Sequence, residues 1–292
     1  MTAPLLKPGA RVAVVSPSGI HDRGRLARGL ERIREWGLEP VLGQHAEARF
    51  RYTAGTVAQR AVDLCWALTD PGVDAVWFTR GGFGTVHLLE AVPWESLDGR
   101  PVIGFSDATA LFSAMAVRGV GGAVHGPVLH SLVDHPDDRS RARLRRLLLE
   151  GGGEVLPGRQ VAGPTASVEG PLVGGNLCVL ASLAGTPYAP SADGSILLLE
   201  EIGERPYQVD RLLTQLARSG GLDGVRGVAL GDFIAPRHPA DADIDMTEVL
   251  CDLLAPLGVP VVAGLPIGHG AANAAVQLGA RVRLDGEGLH VG

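Results

Sequence analysis

Short apolar runs alternate with segments of helical periodicity along the first half of the chain. The run RVAVV at residues 11–15 is rich in β-branched residues and stops at Ser, Pro and Gly, and the next segment repeats apolar residues every three or four positions up to Gly37. This pattern predicts a strand followed by a helix. It recurs as the predicted helix QRAVDLCWALTD, the buried strand VDAVWFTRGG, the helix TVHLLEAV and the strand RPVIGFS.

These strands are apolar throughout, which is typical of a parallel sheet covered by helices on both faces. After residue 170 the chain mixes further strands and helices and becomes β-rich toward its end, where VPVVAGLPIGHG and ARVRLDGEGLHVG occur. We therefore predict an α/β protein with a doubly wound, mostly parallel sheet and a second, smaller, β-rich α/β domain.

A change in composition around residues 151–170 predicts the domain boundary. Glycine, proline and small polar residues replace the periodic pattern there, as in many interdomain connections. We expect residues 1–150 to form the amino-terminal domain, 151–170 to be a linker and 171–292 to form the carboxyl-terminal domain.

Composition and net charge indicate which kinds of molecule the protein binds. The 292 residues are 46% hydrophobic and 20% charged, and the net charge of -6 gives no general attraction to nucleic acid or to anionic membranes. A small-molecule or peptide substrate fits better. The three cysteines, Cys65, Cys178 and Cys251, are odd in number and far apart, so we read them as buried thiols in a reducing compartment. With no signal-peptide pattern and no long apolar run, a cytoplasmic protein is expected.

Candidate chemistry collects where two predicted strands end, the edge at which parallel sheets bind ligands. In TRGGFG (79–84) three glycines permit positive φ angles and close backbone approach to an anion or oxyanion. In GFSDA (104–108) Ser106 sits between small residues at a strand-to-helix junction, as in a nucleophile elbow. The alternative is that Ser106 is only the N-cap of the following helix.

The second half supplies a candidate acid and base. Glu200 and Glu201 end the apolar strand SILLLEE, and a carboxylate there could orient an imidazole; alternatively, both simply terminate the strand in water. His269 lies between two glycines in LPIGHGAANAA, which we interpret as a mobile and accessible loop. A histidine in such a loop could equally be solvated without a function.

Several motifs, in this order and spacing, resemble the serine peptidase family of LD-carboxypeptidases (muramoyltetrapeptide carboxypeptidases) and microcin C self-immunity peptidases. The resemblance runs through almost the whole chain, and its motifs are VAVVSPSG, RGGFG, VIGFSDATAL, HGP, GGNLCVLASLAGTP, LEEIGERPYQVDRLLTQL, GVALGDF and LPIGHGAAN. The segment AAVQLGA departs from the family pattern, which often has proline before Leu-Gly.

The resemblance implies a Ser-His-Glu triad: Ser106 as nucleophile, His269 as general base and then acid, and Glu200 as its orienting carboxylate. It also implies an oxyanion hole formed by the amides of Gly82 and Asp107, with no role required of the Asp107 side chain. The family fold is a doubly wound domain joined to a smaller β-barrel-like domain, usually in a homodimer. No metal and no cofactor is expected.

The implied reaction hydrolyses an LD-amide bond and releases the terminal D-alanine of murein tetrapeptide in cell-wall recycling. Arg80 is a candidate for substrate binding through the free carboxylate, although a salt-bridged surface arginine is an equal alternative. Asn176, in a predicted tight turn, is a second candidate.

Two other functions remain open at this stage. One is a self-immunity peptidase that cleaves a peptidyl- or aminoacyl-nucleotide amide. The other is a non-catalytic protein that binds a peptide or sugar between the two domains.

Overall fold

The computed structural model describes residues 3–134, 137–189 and 191–292. The chain divides into two compact units. The amino-terminal unit contains residues 1–152 together with Ala274–Gln277, and the carboxyl-terminal unit contains Gly153–Asn273 and Leu278–Gly292.

The amino-terminal unit alternates strands and helices, as the apolar pattern predicts. Its strands are β1 (Arg11–Val15), β2 (Glu39–Leu42), β3 (Ala75–Phe78), β4 (Val102–Gly104), β5 (Ala123–His125) and, from much later in the chain, β12 (Val276–Gln277). Its helices are α1 (Arg23–Glu35), α2 (Val57–Thr69), α3 (Thr109–Val117), α4 (Leu129–Asp134) and α5 (Asp138–Leu149).

The sheet of this unit has the strand order β12-β5-β4-β3-β1-β2. The pairs among β1 to β5 are parallel, and β12 adds to the edge in the antiparallel direction. The order 2-1-3-4-5 is that of a doubly wound sheet, whose chain changes direction between β1 and β3. Ligands of such sheets bind outside the carboxyl ends of those two strands, so the loops after β1 and β3 frame the expected site.

Local sequence signals explain where the first two helices begin. The Asp22 side chain accepts a hydrogen bond from the amide of Arg25 and so caps α1. Thr56 and Gln59 form a reciprocal capping box at the start of α2. The apolar face of α1, with Leu26 and Ile33, packs into a buried cluster with the sheet.

The carboxyl-terminal unit is built around a second sheet. Its strands are β6 (Glu154–Pro157), β7 (Arg159–Ala162), β8 (Val168–Asn176), β9 (Ile196–Ile202), β10 (Gly227–Ile234), β11 (Val261–Ala263), β13 (Arg281–Asp285) and β14 (Gly288–Val291). Its helices are α6 (Leu177–Ser182), α7 (Pro206–Arg218) and α8 (Met246–Leu254).

This second sheet curls on itself. Its strand order is β6-β14-β13-β8-β9-β10-β11-β7, so the two edge strands are consecutive in the chain and only Gly158 separates them. The edges of the sheet therefore meet at this residue, which gives the unit its barrel-like character. The parallel strands β8, β9, β10 and β11 form the middle of the order and bury an apolar core against the helices.

Three expectations differ from the structure. The predicted linker at 151–170 contains β6, β7 and the start of β8, because its glycines and prolines mark the ends of short strands rather than an unstructured connection. The predicted helix TVHLLEAV is a 3₁₀ helix over Thr85–Ala91. The pair Val276–Gln277 returns to the sheet of the amino-terminal unit, which no local periodicity signals.

The three cysteines, Cys65, Cys178 and Cys251, are free thiols and only partly buried, whereas the sequence predicted buried thiols. In the described part of the chain, no helix has both the length and the hydropathy needed to cross a bilayer.

Candidate active site

Ser106 occupies a strained turn immediately after β4. Its φ is 62°, and Arg51 is the only other described residue besides glycine with positive φ. A left-handed conformation costs an ordinary residue about 1–2 kcal/mol. The residue starts a 3₁₀ turn over Ser106–Ala108 that leads into α3.

The structure argues against the alternative that Ser106 caps α3. The N-cap position of α3 is Ala108, and the position before the 3₁₀ turn is Phe105; neither has a side-chain capping bond. Within the described residues of its unit, the Ser106 hydroxyl has no hydrogen-bond partner. The turn therefore presents the hydroxyl instead of using it to hold the helix.

Small residues on both sides of Ser106 make this turn possible. A methyl group on Gly104 would lie 2.9 Å from Cβ of Ala108, closer than real Cβ contacts. A methyl group on Gly81 would lie 2.9 Å from Cβ and 3.0 Å from Oγ of Ser106. The tight turn thus requires glycine at 104, and a methyl group at 81, in the loop after β3, would press on the serine side chain.

The predicted oxyanion donors lie in the same neighbourhood. A methyl group added to Gly81 would lie 3.7 Å from the backbone nitrogen of Asp107. Gly82 is the next residue in the chain and has a φ of 120°. Among the described residues of this unit, neither the Gly82 amide nor the Asp107 amide donates a hydrogen bond. Both N–H groups are therefore available to an oxyanion.

The side chain of Asp107 has a structural role that the sequence did not reveal. It is 3% exposed, and its Oδ2 accepts hydrogen bonds from Ser18 Oγ at 2.6 Å and from the Thr85 amide at 2.9 Å. These bonds join the loops after β1, β3 and β4. The buried guanidinium of Arg60 reinforces the same junction by donating to the carbonyls of Pro17 and Gly84.

In the carboxyl-terminal unit, the structure brings His269 and Glu200 together. His269 Nδ1 lies 2.7 Å from Glu200 Oε2, and the side chains are 15% and 0% exposed. Because a carboxylate only accepts, Nδ1 carries the proton of the neutral imidazole and Nε2 keeps its lone pair. Such a pair supplies a general base of fixed orientation.

The loop that carries His269 is fixed on both sides of the histidine. The Gly268 amide donates to Oδ1 of Asn273 at 3.3 Å, and the Gly270 amide donates to Oδ2 of Asp232 at 2.9 Å. A methyl group on Gly270 would lie 2.4 Å from that carboxylate oxygen of Asp232. The expectation of an accessible histidine is therefore not met, because His269 is partly buried and the amides on both sides of it are hydrogen-bonded.

Glu201 and Asn176 serve the fold beside the Glu200–His269 pair. Glu201 points to the other face of β9, where it accepts from the amides of Cys178 at 2.7 Å and Ile202 at 2.8 Å, and its burial raises its pKa. Asn176 is 4% exposed and caps α6 by accepting from the Val179 amide. Substrate binding by Asn176 stays a prediction, while the structure gives it a capping role.

Arg80 lies at the carboxyl end of β3, two residues before Gly82. Its Nη1 donates to the carbonyl of Ile20 at 2.7 Å, and the side chain is partly buried. No carboxylate of the described residues forms a salt bridge with it. The described residues therefore do not support the alternative that Arg80 forms a salt bridge with a neighbour.

Among the described residues, one cluster has donor atoms close enough together to hold a metal ion. The ligand atoms of Asp285, Glu287 and His290 lie within 4.8 Å of one another. His290 and Asp285 already bond to each other, and Arg283 bonds to both. This cationic partner accounts for the cluster as a surface network of the β13–β14 hairpin.

Comparison with known proteins covers both units. Residues 12–126 match the family model of the LD-carboxypeptidase N-terminal domain, and residues 169–284 match that of the LD-carboxypeptidase C-terminal domain. The murein tetrapeptide carboxypeptidase of Pseudomonas aeruginosa is 38% identical over 96% of this chain and 94% of its own.

Solved structures agree with this assignment. The muramoyltetrapeptide carboxypeptidase of Oxalobacter formigenes matches with a TM-score of 0.87 and 29% identity, covering 97% of this chain and 99% of that one. The microcin C7 self immunity protein MccF has the same fold, with a TM-score of 0.88 and 23% identity over 100% of this chain and 98% of that one. The family motifs identified in the sequence are thus confirmed, and the chain belongs to the LD-carboxypeptidase family of peptidases.

Proposed function

We propose that this protein is a serine LD-carboxypeptidase that releases the terminal D-alanine of murein tetrapeptide. The observation that carries the proposal is the backbone of Ser106, a non-glycine residue at φ 62° whose hydroxyl has no hydrogen-bond partner among the described residues of its unit. Strain of this kind persists at functional sites because the surroundings enforce it. The 38% identical relative named murein tetrapeptide carboxypeptidase supports the choice of substrate.

In the proposed reaction, Ser106 Oγ attacks the carbonyl carbon of the LD-amide bond while its proton passes to Nε2 of His269. The Glu200 carboxylate stabilises the imidazolium cation that forms. The oxyanion accepts hydrogen bonds from the amides of Gly82 and Asp107.

Collapse of the tetrahedral intermediate breaks the C–N bond, and the imidazolium donates its proton to the leaving amine of D-alanine. Water then attacks the acyl-enzyme with His269 again as base, and the carboxylate product leaves with Ser106 restored. Apart from the substrate and water, these steps use only side chains and backbone amides of this chain. The oxyanion donors contribute most when they are held rigidly, and the Asp107 side chain supplies that rigidity.

Product analysis tests the proposal. The protein is incubated with murein tetrapeptide, and the products are weighed by mass spectrometry. We expect tripeptide and free D-alanine from the wild type, and turnover lower by several orders of magnitude from a folded Ser106→Ala variant.

Two results would contradict the proposal. Intact tetrapeptide beside a cleaved aminoacyl-nucleotide conjugate would assign a self-immunity activity, which MccF at 23% identity supports in fold only. Binding of tetrapeptide without cleavage, unchanged by Ser106→Ala, would make the protein a non-catalytic binder.

We further propose that the protein is a cytoplasmic homodimer, as its family resemblance implies. Three free cysteines are consistent with a reducing compartment. Light scattering coupled to size exclusion tests the dimer, and a monomer at micromolar concentration would contradict it.

A further inference from the structure

Arg80 holds a fixed position at the point where the doubly wound sheet changes direction. It follows β3, and its Nη1 donates at 2.7 Å to the carbonyl of Ile20, in the loop that follows β1. The side chain therefore bridges the two strands between which such sheets bind their ligands. Both the donor and the acceptor of this hydrogen bond belong to the protein, so the position of Arg80 does not depend on a bound ligand.

Glycine at position 19 lets the Arg80 guanidinium lie close to Gly82, in the loop after β3. A methyl group on Gly19 would lie 3.3 Å from Nε and 3.5 Å from Cζ of Arg80. On its other side Gly19 contacts Gly82, where an added methyl group would lie 3.1 Å from the Gly19 Cα. The guanidinium and the proposed oxyanion glycine thus pack against the same residue.

The charge of Arg80 is not neutralised within the described residues. They contain no carboxylate within salt-bridge distance of it, although the side chain is partly buried. Burial and, after it, the charges of His21, Arg80 and Arg25 lower the pKa of His130 to about 4, against a hydrogen bond with the Asp22 backbone that raises it, so that imidazole is neutral at pH 7. A partly buried cation without a counter-ion favours an anionic ligand.

We propose that Arg80 binds the C-terminal carboxylate of the peptide substrate and makes the enzyme select peptides with a free terminus. This inference rests on the proposed function. The distances in the substrate and in the protein are compatible with this role. In the substrate, the terminal carboxyl carbon lies only about 3–4 Å from the scissile carbonyl carbon. Arg80 and Gly82, separated by one residue, have Cα atoms no more than about 7 Å apart.

A pair of substrates tests this selection directly. Murein tetrapeptide and its C-terminal amide have the same scissile bond and differ only in the charge of the leaving residue. We expect the wild type to prefer the free acid in kcat/KM by about 10- to 100-fold, the value of a charge-assisted hydrogen bond. Arg80→Gln loses this preference because kcat/KM falls for the acid and stays nearly constant for the amide.

Arg100→Gln is the matched control. Arg100 also donates to backbone carbonyls, those of Ala67 and Asp70, but it precedes β4 and so lies where the strands begin, whereas Arg80 lies where β3 ends. Its substitution removes these bonds together with an ion pair to Asp98, and it is expected to leave the acid-to-amide ratio unchanged. Arg80→Lys keeps the charge and is expected to give an intermediate ratio, which tests the proposal even if Arg80→Gln fails to fold.

The possible results distinguish carboxylate binding by Arg80 from the proposed LD-carboxypeptidase activity. If the folded Arg80→Gln and Arg80→Lys variants keep the wild-type ratio, or if the wild type cleaves acid and amide equally, the carboxylate anchor is wrong while the LD-carboxypeptidase activity stands. If the wild type cleaves neither peptide, the proposed function itself fails.

Discussion

Replacing Gly81 by alanine tests whether Ser106 reacts from the position in which the structure holds it. The φ of Gly81 lies outside the positive region, so alanine fits the backbone without strain. Its methyl group, however, would lie 2.9 Å from Cβ and 3.0 Å from Oγ of Ser106, whereas ordinary contacts begin at 3.4 Å. The serine or the loop must therefore move by about 0.5 Å to restore an ordinary contact distance.

This displacement sets the size of the expected effect. A misplacement of about 1 Å at a reacting group costs about 100-fold in rate. We therefore expect Gly81→Ala to lower kcat/KM by about 10- to 100-fold, or about 1.4–2.7 kcal/mol of transition-state stabilisation. Because the substitution removes no hydrogen-bonding side chain, the loss should appear in kcat more than in KM.

Release of D-alanine from tetrapeptide is the assay, with thermal unfolding as a measure of folding. Gly121→Ala is the control, since an added methyl group there meets nothing within 4 Å and its φ is also outside the positive region. It should change kcat/KM by less than about twofold. Wild-type kcat/KM in folded Gly81→Ala would refute the assignment of the reacting oxygen to Ser106 in this conformation.

Three further predictions concern the backbone strain, the acid and a thiol. Ser106→Gly abolishes turnover but relieves the φ of 62°, so we expect stability to rise by about 1 kcal/mol, or about 1.5–2 °C in Tm by calorimetry; a lower Tm would contradict the strain. Glu200→Gln lets Nδ1 of His269 become the acceptor in the 2.7 Å contact, so kcat should fall by about 10⁴-fold; activity within tenfold of the wild type would exclude Glu200 as the orienting group. Burial and, to a smaller extent, the Glu201 carboxylate raise the pKa of Cys178 to about 11. At pH 8 we therefore expect alkylation of Cys178 to be about 100-fold slower in the native protein than after unfolding, and to accelerate as the pH is raised to 10. Equal alkylation rates in the native and unfolded protein, measured by peptide mass spectrometry, would contradict this.

Much of the architecture was readable from periodicity. Continuous apolar runs such as 11–15, separated by amphipathic segments ending in glycine, predicted the parallel sheet and its helices because burial on both faces requires that composition. The order of motifs also sufficed to recognise the family. Local signals were weakest in the stretch 151–170, where short strands with glycine and proline at their ends look the same as a linker.

Periodicity alone did not distinguish Glu200 from Glu201, and only the family resemblance favoured Glu200. In the structure alternate residues of the strand face opposite sides, so Glu200 meets His269 and Glu201 accepts from the Cys178 amide. The Asp107 carboxylate was assigned no part, although it ties together three loops that are far apart in the chain. Asp232 was missed for the same reason, since nothing near it in the sequence points to the amide of Gly270.

The sequence by itself determined the alternation of strands and helices, the family motifs and the residue types able to carry the reaction, because side-chain volume, branching and polarity act over a few neighbouring positions. Only the tertiary structure decided that Ser106 adopts a left-handed backbone and that Arg80 bridges the loops after β1 and β3. Both depend on close approach between segments distant in the chain, such as Gly81 against Ser106 and Gly19 against Arg80. Contacts of that kind are set by packing, to which local periodicity carries no signal.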